Sequence, residues 1–163
     1  MKITARRIVK AKHVDSAFDG EGARVAGGRW NRIGIPMIYT ADSLALAILE
    51  ITVHLSKEDL LQKKYFHISV QFDSSLVTYL DHAEIPEDWD SLPPSESTQN
   101  IGNQWALSQK SVILKVPSTV VRQEFNYLIN PVHPDFNKLS IEIPETVVFD
   151  PRIKGIASLY LLS

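Results

Sequence analysis

Glu50 is the residue whose setting most invites chemistry. In the run Leu-Ala-Leu-Ala-Ile-Leu-Glu-Ile-Thr-Val, Leu44 to Val53, it is the only ionisable group. A helix apolar on nearly every side is a buried helix, and a carboxylate on it needs a partner or must face a cleft. A carboxylate in a cleft can stabilise a developing positive charge; the competing reading puts Glu50 on one exposed stripe. Arg29 comes second. Gly27-Gly28-Arg29-Trp30-Asn31 sets a guanidinium beside two glycines and an indole. Glycines let backbone approach a ligand, Arg offers a bidentate fork to phosphate or carboxylate, and Trp30 can wall the site. The bland alternative is a glycine turn with an exposed Arg. Tyr39 can stack on a flat ring or fill the core, and Ser118, after Val116-Pro117, can bond a phosphate or make a turn.

Other chemistries find no footing. The chain has neither G-x-G-x-x-G nor G-x-x-x-x-G-K-[ST], and Ser118 sits in no G-x-S-x-G elbow. With no Cys there is no disulfide, thiolate nucleophile or Cys-based zinc site. His13, His54, His67, His82 and His133 form no H-E-x-x-H pair, so no metal is expected. His133, between two prolines, is the most interesting of them. Basic residues do not interleave with aromatics as an RNA-binding sheet requires, and no helix-turn-helix pattern marks direct DNA binding.

Charge is unevenly placed. The net value of −2 hides a basic N-terminal third and an acidic middle. Residues 1–34 carry eight Lys/Arg against three acids, while residues 73–103 carry seven acids and no Lys or Arg. The first can attract an anion such as phosphate; both can also be plain solvated faces. The longest apolar run, Leu44 to Leu49, is six residues, too short to span a bilayer, and no signal peptide is evident. The expectation is one cytoplasmic domain over residues 1–163.

The elements that must position these groups are short. Strands are expected at Ile3–Val9, Met37–Thr40, Tyr65–Phe72, Ser111–Val116, Phe125–Ile129, Leu139–Ile143 and Thr146–Phe149. A helix capped by Asp42 or Ser43 should run to about Leu55, and a short one should cover Ile101–Gln109. Residues 19–28, with four of the seven glycines, read as a loop. Residues 81–100, acidic and rich in Pro and Ser, read as a long surface loop. This pattern predicts an α+β fold.

Taken in order, several segments resemble the RES-domain family, the toxin half of RES–Xre toxin–antitoxin pairs. They are Gly27-Gly28-Arg29-Trp30-Asn31, Pro36-Met37-Ile38-Tyr39-Thr40, Leu44 to Glu50, Val116-Pro117-Ser118, Asn126 to Pro134 and Phe149-Asp150-Pro151-Arg152. The resemblance implies a compact ADP-ribosyltransferase-like domain with a cleft that takes NAD+ as substrate, not as cofactor. It implies cleavage of the nicotinamide–ribose bond, with phosphate as acceptor giving ADP-ribose 1″-phosphate; water or a protein acceptor are the rivals. A nucleotide-binding module acting only through its partner is the non-enzymatic alternative. The implied partner is an Xre-type helix-turn-helix antitoxin that blocks the cleft and supplies operator binding. A homodimer within such a complex is compatible with the sequence.

Residue by residue, the resemblance gives Arg29, Glu50 and Ser118 the roles of the family's named Arg, Glu and Ser, and Tyr39 that of a cleft tyrosine. Arg7 resembles a further site arginine; Arg6 lies beside it, and strand alternation sends the two to opposite faces without saying which faces inward. Trp30, Asn126 and His133 join as expected substrate contacts. The chemistry fits these types. Glu50 would stabilise an oxocarbenium-like ribose, Arg29, Arg7 and Ser118 would hold phosphates, and Tyr39 would stack on nicotinamide. Segment 81–100 matches no motif and receives no role.

Overall fold

A computed structural model describes residues 1–154. Residues 155–163, the end of the expected single domain, lie outside the described residues. The architecture is α+β, as the sequence predicts. Eight strands run β1 Lys2–Lys10, β2 Ile38–Ala41, β3 Tyr65–Asp73, β4 Val77–Tyr79, β5 Ile113–Pro117, β6 Phe125–Ile129, β7 Ser140–Ile141 and β8 Glu145–Val147. Four helices are α1 Glu21–Ala26, α2 Leu44–His54, α3 Lys57–Gln62 and α4 Glu96–Ser108.

The strand order is β4-β5-β6-β2-β1-β3-β7, with β8 also on β3. All pairings are antiparallel except β4 with β5. One joint in this sheet is weak. β1 pairs with β3 over nine positions, but meets β2 only at Arg6↔Ala41. The sheet therefore consists of two well-paired halves hinged at one residue pair, and the strands part beyond it. Arg7 spans the gap: its Nη1 donates to the Tyr39 carbonyl at 2.9 Å, a side chain standing in for a missing ladder bond.

Apolar alternation places the core. Ala5, Ile38, Val70, Phe72, Val112, Ile113, Tyr127 and Ile129 form the largest cluster, across both halves. A second cluster of Trp30, Met37, Trp105, Leu114 and Leu128 seats α4 against β5 and β6. Ser43 caps α2 by accepting from the Leu46 amide at 3.1 Å, which settles the choice between Asp42 and Ser43.

Several local expectations change. Residues 19–28 are not a plain loop: Asp19 accepts from the Glu21 amide, Arg24 pairs with Glu21, and α1 forms between left-handed Gly20 and Gly27. Segment 81–100 is only partly irregular. Asp81 and Glu84 make a capping box on a 3₁₀ turn, and Ser95 caps α4, whose first residue Glu96 lies five residues before the expected helix start. The last two strands are shorter than expected, and α3 and β4 carried no clear pattern of their own. Helix α2 is not buried all round, since Leu49 and Val53 are 44% and 56% exposed.

Candidate active site

Where the two half-sheets part, a cleft of about 1450 Å³ opens. Its walls include Arg6 and Arg7 from β1, Arg29 from the loop after α1, Tyr39 from β2, Glu50 and His54 from α2, and Asn126 from β6. The choice between Arg6 and Arg7 dissolves: both border the cleft, Arg6 bonded to the Ala5 carbonyl and Arg7 to the Tyr39 carbonyl.

Glu50 is held from both sides. The Ser118 hydroxyl donates to Oε1 at 2.8 Å, and the Asn126 side-chain amide donates to Oε2 at 2.9 Å. Burial raises the Glu50 pKa; the Ser118 and Asn126 donors and nearby His54 pull it down, and Glu124 pushes it up, with a net rise. Two donors leave both oxygens oriented and favour the ionised form. The exposed-stripe reading of Glu50 is thereby replaced by a carboxylate facing the cleft.

Ser118 does something other than the phosphate binding expected of it. It is fully buried, and its oxygen also accepts from the Val120 and Val121 amides. Its hydroxyl proton is committed to Glu50. Ser118 therefore orients Glu50 and also makes the turn after β5. Asn126, expected to contact substrate, likewise points to Glu50, with a longer bond to the Thr40 carbonyl at 3.3 Å.

The arginines are prepared for anions. Arg7 Nε is buried and has no hydrogen-bond partner. Desolvation pushes its guanidinium down to about 10, with Asp19 acting the other way, so it stays charged at neutral pH. An orphaned buried donor beside a cleft is a group that an anionic ligand can satisfy. Arg29 Nη1 donates to the Trp89 and Ser91 carbonyls, both at 2.9 Å. Its other donors make no protein hydrogen bond among the described residues.

Tyr39 is fixed at its hydroxyl, which donates to Asn31 Oδ1 at 2.6 Å and accepts from the Trp30 amide at 3.0 Å. Burial raises its pKa strongly, so the group stays protonated. Asn31 is fully buried and donates from Nδ2 to the Ala23, Arg32 and Ile35 carbonyls. Gly28 must lack a side chain, since a Cβ there would lie 2.6 Å from the Tyr39 hydroxyl.

Trp30 borders the cleft beside Arg29 but is only 2% exposed, packed into the core with Met37 and Trp105, so it backs the wall as expected. One expected contact lies elsewhere. His133 is outside the cleft. Its Nδ1 accepts from the Asp135 amide and its Nε2 lies 2.9 Å from the Gln109 carbonyl, which ties the loop after β6 to the end of α4. The proline-flanked histidine is thus a structural loop residue. No group of three or more His, Asp or Glu suited to a metal occurs among the described residues.

The acidic middle, left without a role by the sequence, turns out to hold the Arg29 loop. Besides the carbonyls of Trp89 and Ser91, Thr98 Oγ1 donates to the Arg29 carbonyl at 2.7 Å and Gln99 donates to the Gly28 carbonyl at 3.1 Å. Gly102 allows α4 to touch the Trp30 backbone, where a Cβ would fall 1.7 Å from the carbonyl oxygen. Sequence reasoning missed Thr98, Gln99 and Gly102. The one local hint, a lone Gly inside a helix, signals close packing without saying against what.

The chain is similar to known proteins over nearly its whole length. The family model described as RES domain matches residues 4–150, and the chain belongs to that family. It is 39% identical over 132 residues to "Toxin Res" of Photorhabdus laumondii, covering 81% of this chain and 84% of that protein. It is 36% identical over 139 residues to "Prs ADP-ribosylating toxin" of a Sphingobium species, covering 83% and 86%. Its fold is similar to a chain in the crystal structure of the M. tuberculosis MbcT–MbcA toxin–antitoxin complex. There the TM-score is 0.73 at 19% identity, with 96% of this chain and 88% of that chain covered.

Proposed function

We propose that this RES-domain chain is the toxin of a toxin–antitoxin pair, and that it cleaves the nicotinamide–ribose bond of NAD+ with phosphate as the acceptor. The observation that carries the reading is the Glu50 carboxylate, held by Ser118 and Asn126 in a cleft that Arg6, Arg7 and Arg29 also line. In the reaction the departing nicotinamide takes the bond pair and becomes neutral. The ribose carbon left behind has oxocarbenium character, and an oriented carboxylate stabilises it. A phosphate oxygen then bonds to that carbon, and the overall reaction releases one proton. Arg7, with its unpartnered Nε, and Arg29, with its free donors, suit the pyrophosphate and the acceptor. Tyr39, pinned at its hydroxyl, offers its ring and not a proton.

NAD+ is then a substrate, phosphate a co-substrate, and the working site cytoplasmic. The partner is a helix-turn-helix antitoxin of the Xre type whose acidic or C-terminal carboxyl group meets the arginines. A second reading has a specific support, the ADP-ribosylating name of the Sphingobium relative. It shares the first bond broken and differs in the acceptor. Phosphorus NMR of the products separates the outcomes as ADP-ribose 1″-phosphate, free ADP-ribose or labelled protein. Phosphate-accelerated release of nicotinamide is the expected result. Undiminished NAD+ loss in Glu50→Gln sinks the assignment of Glu50, and binding of nucleotide without turnover sinks the enzyme.

A further inference from the structure

Arg29 is oriented by two neutral groups, although an acid stands between them. The carbonyls that its Nη1 meets belong to Trp89 and Ser91, the chain neighbours of Asp90 on either side. Asp90 lines the cleft and acts electrostatically on Arg29. Yet its carboxylate is engaged elsewhere, bonded to Arg122 Nη2 at 2.5 Å. Arg122 follows β5, lies in the same loop as Ser118, and lines a second, smaller pocket with Pro86, Glu87 and Trp89. Its side chain is 67% exposed and makes no other ion pair among the described residues.

An Asp carboxylate turned onto Arg29 would form a charge-assisted fork with the very donors a phosphate needs. Backbone carbonyls hold the guanidinium in place without neutralising it. We propose that Arg122 is a positioning residue that keeps the Asp90 carboxylate off Arg29, so that Arg29 stays open to the phosphates of the substrate. This rests on the reading that NAD+ enters the cleft with phosphate at Arg29. The acidic segment thus presents its neutral backbone to Arg29 while Arg122 holds its nearest carboxylate. The contact is a surface ion pair whose purpose is to prevent a different pair, which accounts for its presence better than stability does, since exposed pairs contribute little to that.

The test uses the purified chain with nicotinamide release as readout. Arg122→Ala should raise the KM for NAD+ roughly three- to tenfold, the scale of one competing charge pair, with the loss in KM and not in kcat. Asp90→Asn should lower KM below wild type. The double variant should match Asp90→Asn, because with the acid gone Arg122 has nothing to restrain. Arg122→Lys should restore most of the wild-type KM. An unchanged KM in Arg122→Ala overturns the proposal, as does a double variant that keeps the rise. Calorimetry with inorganic pyrophosphate makes the same four-way comparison without turnover. If wild type binds pyrophosphate but splits no NAD+, the functional reading fails while the Arg122 proposal is still decided by those affinities.

Discussion

The basic N-terminal third and the acidic middle differ in charge by design of opposite kinds. The first supplies side chains to the cleft: Arg6, Arg7 and Arg29 all reach it. The second supplies mostly backbone and neutral side chains to the first: the Trp89 and Ser91 carbonyls, Thr98, Gln99 and the bare face of Gly102. Those of its acids that form hydrogen bonds form them with groups other than Arg29. Asp90 goes to Arg122, Asp88 accepts from Ser97 at 2.5 Å, and Asp81 and Glu84 cap a turn. The two segments do pair at their margins, Arg32 with Glu96 at 3.7 Å and the Met1 amino group with Asp73 at 2.9 Å, but among the described residues no carboxylate is bonded to Arg29 itself. A site that must bind an anion can be braced by an acidic segment so long as the brace is made of amides and hydroxyls, since each carboxylate brought in would cancel an arginine.

This contrast can be broken in graded steps. The largest effect belongs to the chemistry. Glu50→Gln should lower kcat about a thousandfold or more while thermal unfolding still shows a folded domain, because a neutral amide cannot stabilise the ribose cation. Next comes the brace. Gly102→Ala forces a methyl into the Trp30 carbonyl, and should destabilise the fold by about 3 kcal/mol, on the order of 6–12 °C in Tm. A Tm within a degree of wild type would show that α4 does not bear on the Arg29 loop.

Smaller effects sharpen the picture. Ser118→Ala removes a donor to the ionised Glu50, so the already raised pKa should rise further. In the proposed reaction the ionised form is the active one, so activity should be lost as pH falls through this pKa, and the acid limb of kcat/KM should move to higher pH. At pH 7 the loss should be about three- to tenfold. An even fall at all pH values would mean that Ser118 only shapes the turn. Smallest is Thr98→Val, which leaves the Arg29 carbonyl without its hydroxyl donor. A cost of about 1 kcal/mol, read as a several-fold rise in KM, is expected there.

How far the sequence reached depended on the range of each signal. Phe125–Ile129 is recovered to the residue because an alternating apolar run bounded by Asn-Pro is a local pattern. The cap at Ser43 and the strand at β1 are local in the same sense. Helix α1 was missed because four glycines in ten residues outweigh a short amphipathic stretch in any composition argument, yet two of those glycines are the residues that start and stop it. The start of α4 was missed because Ser95-Glu96-Ser97-Thr98 looks like loop chemistry until Ser95 is seen as the cap. His133 misled for the opposite reason: a proline-flanked histidine looks exceptional and serves only to close a loop.

By itself the sequence determined which residue types were available for chemistry. It placed a lone carboxylate on an apolar helix, an arginine after paired glycines, and basic and acidic segments well apart. These are properties of neighbours in the chain, and patterns of two, three or four residues report them. Only the tertiary structure decided what each group meets. Ser118 reaches Glu50 across 68 residues and Asn126 across 76, and Arg29 meets the Trp89 carbonyl across 60. No local pattern encodes those meetings. They arise because one weak joint between two half-sheets opens a cleft, and β1, β2, α2 and β6 all bring residues to its walls.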